Sequence, residues 1–340
     1  MGFKAVRLNA LTYPVEPTER AELERAGAEF IAIEGRDADE IVAPAADCDA
    51  LLVISARVPG TVVERLKQCR VIARLGAGTD RIDVAAATRA GIVVTNVPDF
   101  CVNELAEHTF ALLLAWTRRL PYMMEQMRQG NWTARHHPGV HRLAGQTLGF
   151  VGFGQSAVSV AERARAFGLR LRAWVRDAGK YREKAAALGV ELVELDRLLA
   201  ESDFVSVHVP LTPATRHLIG ARELALMKPT ALLINTARGA IVDERALVEA
   251  LRGKQIGGAA LDVFEELDVF GPPGAAPVHP LLELDNVLLT TSESALATGL
   301  RHATTDTAKM SVMTEKMMNS GRRTFFSAAS FWANGMLQLR

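Results

Sequence analysis

The chain has 340 residues, and its 39 lysines and arginines balance 39 aspartates and glutamates, so the formal net charge is zero. That length favours two domains over one core, and 49% hydrophobic with 23% charged residues is a globular composition. With no basic stripe, no acidic tail and no apolar run longer than Phe110–Trp116, neither nucleic acid nor a membrane is an expected partner. Cys48, Cys69 and Cys101 are scattered with no C-x-x-C, which suits a reducing compartment and a cytoplasmic protein. The opening Met1-Gly2-Phe3-Lys4-Ala5 leads into a short strand and is not read as a signal peptide.

Short apolar strands then alternate with helical segments. Ala5–Leu11, Phe30–Ile33, Ala50–Ile54, Val71–Leu75 and Ile92–Thr95 read as strands. Thr18–Ala26, Asp37–Pro44, Gly60–Lys67 and Asp83–Arg89 read as the helices between them. This β-α alternation implies a parallel sheet with helices on both faces. Val102–Gln129 is a long helical stretch opened by Glu104-Leu105-Ala106-Glu107-His108, apolar on nearly every side in its middle. Pro121 should kink or break it. Asn131–His141 is a polar loop carrying His136, His137 and His141, and its spacing fits no common zinc pattern, so no metal is expected.

A second α/β unit starts at Gln146. Its strands are Leu148–Val151, Leu171–Val175, Phe204–Val209, Ala231–Asn235, Gly258–Val263 and Val287–Thr290. Its helices are Ala157–Phe167, Tyr181–Leu188, Asp196–Ala200, Ala221–Met227 and Glu244–Arg252. A loop spans Gly271–Pro277, and a helix is expected over Leu300–Met318, its methionine stripe reading as core. The apolar tail Phe325–Leu339 is expected to pack on the first unit. The first strand of this second unit ends in Gly152-Phe153-Gly154-Gln155-Ser156-Ala157, a G-x-G-x-x-A that passes straight into a helix. Gly152 allows the tight turn, Gly154 lets the backbone approach a pyrophosphate, and Ala157 lets the helix pack close. The phosphates would sit on the free N–H groups of the helix N-terminus.

Further stretches carry a family resemblance. They are Arg74-Leu75-Gly76-Ala77-Gly78-Thr79-Asp80, Val94-Thr95-Asn96-Val97-Pro98-Asp99, His208-Val209-Pro210-Leu211-Thr212-Pro213-Ala214-Thr215, Asn235-Thr236-Ala237-Arg238-Gly239 and Ala260-Leu261-Asp262-Val263. Read with the glycine motif, they resemble the D-isomer-specific 2-hydroxyacid dehydrogenases, in the branch of phosphoglycerate-type enzymes and C-terminal-binding-protein corepressors. The resemblance implies an α/β fold of two Rossmann-like or flavodoxin-like domains with parallel sheets. A substrate domain, residues 1–98 with 293–340, would receive a dinucleotide-binding domain, residues 99–292, as an insertion, with the cleft at the junction. It implies that Gly152, Gly154, Gln155, Ser156, Val175, Arg176, Pro210, Thr215, Thr236, Ala237, Arg238 and Asp262 line the cofactor. It also implies that Gly76, Ala77, Gly78 and Arg238 hold the substrate.

The chemistry follows from the residue types as well. A 2-oxo acid needs its carboxylate held, its carbonyl polarised and a proton delivered as hydride arrives. Gly76–Gly78 can offer backbone N–H groups as a nest for the carboxylate. Arg238, always charged and forked, suits the carboxylate and the developing alkoxide. Two positions depart from the family. Leu267 stands where the family has a glutamate, and Ser292 where it has a histidine, so the acid pair of a histidine raised by a glutamate is missing. A serine hydroxyl is far too weak an acid to replace imidazolium. Glu293 and His302 are the nearby substitutes for the proton donor, while His279 reads as a loop residue before the last strand.

The expected function is therefore an NAD(P)-dependent oxidoreductase that moves hydride between nicotinamide and a small 2-oxo or 2-hydroxy acid, with an atypical or impaired proton donor. The alternative is a dinucleotide-binding interaction or regulatory protein that has lost the chemistry. The second nucleotide strand ends at Val175 where the family's NAD enzymes have an aspartate, and Arg176 follows, which favours NADP(H) over NAD(H). Asp177 is close enough to restore an acid by a small shift of register. Val102–Gln129 with the loop through Trp132 matches the family's subunit-pairing region, so a homodimer is expected.

Overall fold

A computed structural model describes residues 3–132, 140–265, 267, 278–291 and 338–339. Several expectations lie outside these residues: His136 and His137, the Gly271–Pro277 loop, Ser292, Glu293, His302, the Leu300–Met318 helix and most of the apolar tail. The described chain forms two compact units, one ending at Cys101 and including Gln338–Leu339, the other starting at Val102.

The first unit runs β1 (Phe3–Arg7), α1 (Pro17–Arg25), β2 (Ala28–Ala32), α2 (Ala38–Ala45), β3 (Ala50–Val53), α3 (Gly60–Val63), β4 (Val71–Arg74), α4 (Val84–Arg89) and β5 (Val93–Asn96). Its parallel strands lie in the order β5-β4-β3-β1-β2, and Gln338–Leu339 adds an antiparallel edge beside β5. That is the flavodoxin-like order, with its reversal between β1 and β3. Strands β3 and β4 are buried at every residue because helices cover both faces. The helices start where the sequence supplies oxygen caps: Asp37 accepts from Asp39 and Glu40 N–H, and Asp83 from Ala86 N–H. Expected helix Gly60–Lys67 shrinks to one turn ending at Val63.

The second unit opens with α5 (Val102–Thr117) and α6 (Leu120–Arg128). It continues with β6 (Thr147–Val151), α7 (Gln155–Ala166), β7 (Arg170–Trp174), α8 (Ala178–Ala187), β8 (Val190–Leu192), α9 (Leu195–Glu201) and β9 (Phe204–Val207). After these come α10 (Ala221–Leu226), β10 (Leu232–Asn235), α11 (Glu244–Arg252), β11 (Gly258–Leu261) and β12 (Val287–Leu289). The parallel sheet reads β8-β7-β6-β9-β10-β11-β12, the doubly wound dinucleotide-binding order with its switch between β6 and β9. The expected fold class, two parallel α/β sheets of Rossmann type, is therefore found. Strand β8 was not expected: its three residues include an exposed Glu191, which hides the apolar signal.

The long helical stretch breaks at Arg119, whose φ of 53° is left-handed, and Pro121 sits harmlessly in the first turn of α6. The two pieces differ. Helix α5 buries Ala106, Thr109, Phe110, Leu112, Leu113 and Thr117, whereas α6 buries nothing. The apolar middle of the stretch, in α5, thus supplies the side chains that this chain buries. His279 lies, as read, in the loop before the last parallel strand, but it is buried. It is 6% exposed, its Nε2 lies 2.8 Å from Glu244 Oε1, and its ring caps the short turn Pro280–Glu283. Glu244, at the start of α11, is the buried partner that draws it in.

Candidate active site

In an open parallel sheet, ligands bind beyond the C-terminal strand ends, beside the switch point. In the second unit those ends carry most of the residues expected at the cofactor. Gly152, after β6, has φ of +96°, and a Cβ there would come within 2.7 Å of Val209 Cγ1 and 3.0 Å of the His208 carbonyl carbon. Glycine is required because the turn passes against the end of β9. Gly154 is the opposite case: a Cβ there meets nothing within 4 Å. It is the N-cap of α7, and among the described residues no acceptor takes the N–H groups of Gln155, Ser156 or Ala157. Open space at a glycine, three unbonded amides and a helix dipole fit the pyrophosphate of a dinucleotide.

His208 underpins this turn from β9. Its Nε2 lies 2.8 Å from Ser206 Oγ and its Nδ1 3.2 Å from Ser156 Oγ. Burial pushes the imidazole down to about 4, so it is neutral and bridges two hydroxyls. Beyond it, Thr215 donates its hydroxyl to the Pro210 carbonyl and accepts from Thr212 N–H, so this side chain shapes the loop it belongs to. Strand β7 ends at Trp174, whose carbonyl accepts from Gly152 N–H. Val175 is half-buried and Arg176 exposed. The Asp177 carboxylate accepts from Lys180 N–H at 3.3 Å as the N-cap of α8.

The turn after β10 holds Arg238. Asn235, 1% exposed, clamps it from both sides: its Oδ1 accepts from Ala237 N–H at 3.1 Å and its Nδ2 donates to the Arg238 carbonyl at 2.9 Å. The Arg238 guanidinium donates back to the Ala237 carbonyl. Next door, a Cβ on Gly239 would lie 1.9 Å from the Phe264 carbonyl carbon. The Arg238 turn is thus wedged against the segment leaving β11, and only glycine fits.

Helix α5 adds two polar side chains to these strand ends that sequence reasoning did not assign. Thr109 donates to the Leu105 carbonyl at 2.8 Å, so the 3.1 Å contact between Thr109 and Thr236 hydroxyls has Thr236 as donor. His108 Nε2 lies 2.9 Å from Thr290 Oγ1 and 3.1 Å from Asp262 Oδ1. Thr290 donates to Asp262 Oδ1 at 2.6 Å, and Asp262 is 1% exposed. The available signal was the His108-Thr109 pair at the edge of the helix's apolar middle. The second unit therefore gathers Thr236, Ala237, Arg238 and Asp262 with His108 and Thr290, while Ser292, Glu293 and His302 lie outside the described residues.

The first unit contributes a separate feature after β4. All three carbonyls of Gly76–Gly78 are tied inward: Gly76 accepts from Val97 N–H at 3.0 Å, Ala77 from Asn96 Nδ2 at 2.6 Å and Gly78 from Arg74 Nε at 3.0 Å. Among the described residues, nothing accepts from the three N–H groups. Fixed carbonyls with successive unbonded amides make a nest for an anion. Arg74 packs so closely that a Cβ on Gly76 would lie 2.6 Å from its Nη1.

Comparison with known proteins fits this geometry. Residues 110–291 match the family described as D-isomer specific 2-hydroxyacid dehydrogenase, NAD binding domain. The chain belongs to the D-isomer-specific 2-hydroxyacid dehydrogenase family. By family it is an oxidoreductase with a nicotinamide cofactor, as the resemblance implied. It is 42% identical over 263 residues to a D-3-phosphoglycerate dehydrogenase of Methanocaldococcus jannaschii, matching 77% of this chain and 48% of that one. It is also 42% identical over 247 residues to a glyoxylate reductase of Korarchaeum cryptofilum, matching 72% of each. The chain thus spans about half the length of the first relative and about three quarters of the second. Among solved structures, an NADPH-dependent glyoxylate/hydroxypyruvate reductase of Sinorhizobium meliloti, in complex with NADP and malonate, is 29% identical with a TM-score of 0.77, covering 93% of both chains. Among the described residues, no helix is long and apolar enough to cross a membrane.

Proposed function

We propose that this protein reduces small 2-oxo acids of the glyoxylate class, prefers NADP(H), and uses a proton donor other than the family's histidine. The observation that carries this reading is the Arg238 turn, clamped by Asn235 and wedged by Gly239 beside Asp262. Such preorganisation suits a cation that must meet charge as it develops on a carbonyl oxygen. The Gly76–Gly78 amides bind the acid's carboxylate. Gln155, Ser156 and Ala157 take the pyrophosphate, and the bound nicotinamide supplies or accepts hydride. Glyoxylate reductase activity in one relative and NADPH dependence in the structural neighbour support the substrate class and cofactor. Arg176 supports NADP(H) further: the acid next to it, Asp177, has its carboxylate engaged as a helix cap. We place the enzyme in the cytoplasm as a two-fold dimer. The apolar face of α6 and the adjoining loop, with Leu120, Tyr122, Met124, Met127 and Trp132 exposed, is its pairing surface.

The substitutions Leu267 and Ser292 favour a second reading, a dinucleotide-binding interaction protein without turnover. Two variants separate them. Arg238→Ala abolishes reduction of 2-oxo acids while dinucleotide still binds. Ser292→His with Leu267→Glu raises turnover, by up to ~10²-fold if a direct imidazolium donor is what the site lacks. A double variant that binds dinucleotide and gains nothing supports the interaction reading instead.

A further inference from the structure

The described part of the second unit contains a histidine–carboxylate pair on the sheet's C-terminal edge, at positions other than those of the acid pair that the resemblance implies. His108 comes from α5, Asp262 from the end of β11 and Thr290 from the end of β12. Their hydrogen bonds fix the protons. Thr290 donates its only hydroxyl proton to Asp262 Oδ1, so the 2.9 Å contact between His108 Nε2 and Thr290 Oγ1 requires the proton on Nε2. The imidazole N–H thus points at a hydroxyl and a carboxylate together. The pair is shielded, with side-chain exposures of 16% for His108 and 2% for Asp262, while Thr290 stays half-buried on the rim. Ser292, at the family's histidine position, follows Thr290 by two residues.

We propose that His108 is the positioning residue for the missing acid: it holds the proton and passes it through the Thr290 hydroxyl to the substrate oxygen. This rests on the reductase reading above. As hydride reaches the carbonyl carbon, the C=O π pair moves onto oxygen. The Thr290 hydroxyl turns from Asp262 Oδ1 to that oxygen, its O–H bond breaks, and its proton forms the new O–H bond on the product. His108 Nε2 gives its proton to Thr290 Oγ1, and the imidazolium becomes neutral imidazole. Oxidation of the 2-hydroxy acid runs the same transfers backwards. The net change is one hydride and one proton added to the oxo acid, with the nicotinamide oxidised. The charged group facing the ring from the sheet is Asp262. On α5 itself stand Glu104 and Glu107, and Glu107 is turned toward Arg163 of α7. A threonine between acid and substrate makes the path slower than direct donation, which is why restoring a histidine at Ser292 still raises turnover.

A purely structural His108, holding Asp262 for the cofactor, predicts weaker dinucleotide binding on its loss. A proton-holding His108 predicts a changed rate and pH profile instead. The experiment measures dinucleotide affinity by fluorescence titration, and kcat against pH for glyoxylate reduction, in wild type, His108→Gln, Thr290→Val and Thr290→Ser. His108→Gln and Thr290→Val are expected to keep the wild-type affinity and lose ~10²-fold or more in kcat, as removal of general acid catalysis does. The basic limb of the pH profile disappears in His108→Gln, and Thr290→Ser recovers most of what Thr290→Val loses. An active wild type whose His108→Gln variant keeps its rate and pH profile overturns the role of His108 alone. Loss confined to dinucleotide affinity overturns it too, in favour of the structural role. A wild type that binds dinucleotide but reduces no 2-oxo acid overturns the reductase reading and this inference with it.

Discussion

Two glycines of the second unit, given the same extra methyl, should fail in opposite ways. At Gly239 an ideal Cβ lies 1.9 Å from the Phe264 carbonyl carbon, 2.1 Å from its oxygen and 2.4 Å from Glu265 N. Ordinary carbon contacts lie at about 3.5–4.0 Å, so one backbone must move by roughly 1.5 Å. The Phe264–Glu265 peptide resists that movement. Glu265 N–H donates to Glu244 Oε2 at 2.8 Å, and the Glu265 carboxylate holds His217 and Arg216. Gly239→Ala is therefore expected to cost about 3 kcal/mol, at the top of the overpacking range. Any relief displaces Arg238, and a shift of ~1 Å near the chemistry costs on the order of 10²-fold in rate. At Gly154 the Cβ meets nothing within 4 Å and φ is −77°, so Gly154→Ala should fold with wild-type stability. Its methyl would instead occupy the space assigned to the pyrophosphate, and dinucleotide affinity should fall. Urea unfolding and fluorescence titration of both variants provide the check. A Gly239→Ala protein as stable and active as wild type, or a Gly154→Ala protein with unchanged dinucleotide affinity, would refute the reasoning.

Arg176→Asp should weaken NADPH binding by ~10–10²-fold, the worth of one charge-assisted hydrogen bond, and tighten NADH binding; equal effects on both cofactors in a titration would remove Arg176 from the site. His208 titrates near 4 in the fold and about 6.5 unfolded, so the unfolded chain binds the extra proton first and stability falls as pH drops from about 6.5 to about 4, by at most ~3 kcal/mol since the residue is only half-buried. Denaturant unfolding of wild type and His208→Phe across that window measures this, and identical acid losses in the two would contradict it. Met124→Glu with Trp132→Glu places charge in the apolar α6 surface and should turn a dimer into a monomer by sedimentation, whereas a wild type that is already monomeric at micromolar concentration would count against that surface.

The parts of this molecule legible from sequence are those whose signal is local. Parallel strands such as Leu232–Asn235 are short buried runs between helices, and both sheets followed from that rhythm. The G-x-G-x-x-A turn was legible because its glycines answer to two local demands, a positive φ at Gly152 and open space at Gly154. What escaped depends on partners far along the chain. The burial of the loop residue His279 escaped because Glu244, its buried partner, is 35 positions earlier. The His108–Thr290 contact spans 182 positions, so the polar pair on the helix does not name its partner. Pro121 marked a helix break correctly in kind, but the left-handed residue that makes the break is Arg119. Strand β8 was lost because an edge strand can expose its middle residue, Glu191. Asn235 was visible within its motif, yet its clamp on the Arg238 turn emerges only from the hydrogen bonds.

The central claim is that the clamped Arg238 turn, the dinucleotide site and the Gly76–Gly78 nest serve the reduction of a small 2-oxo acid. The most direct measurement follows NADPH oxidation by the purified protein against a panel of 2-oxo acids, with the configuration of each chiral product determined. The account predicts NADPH consumption with the smallest acids, the D configuration wherever the product is chiral, and loss of the signal in Arg238→Ala. A protein that binds NADPH tightly yet oxidises none of it with any member of the panel, or an Arg238→Ala variant that keeps the wild-type rate, would contradict it.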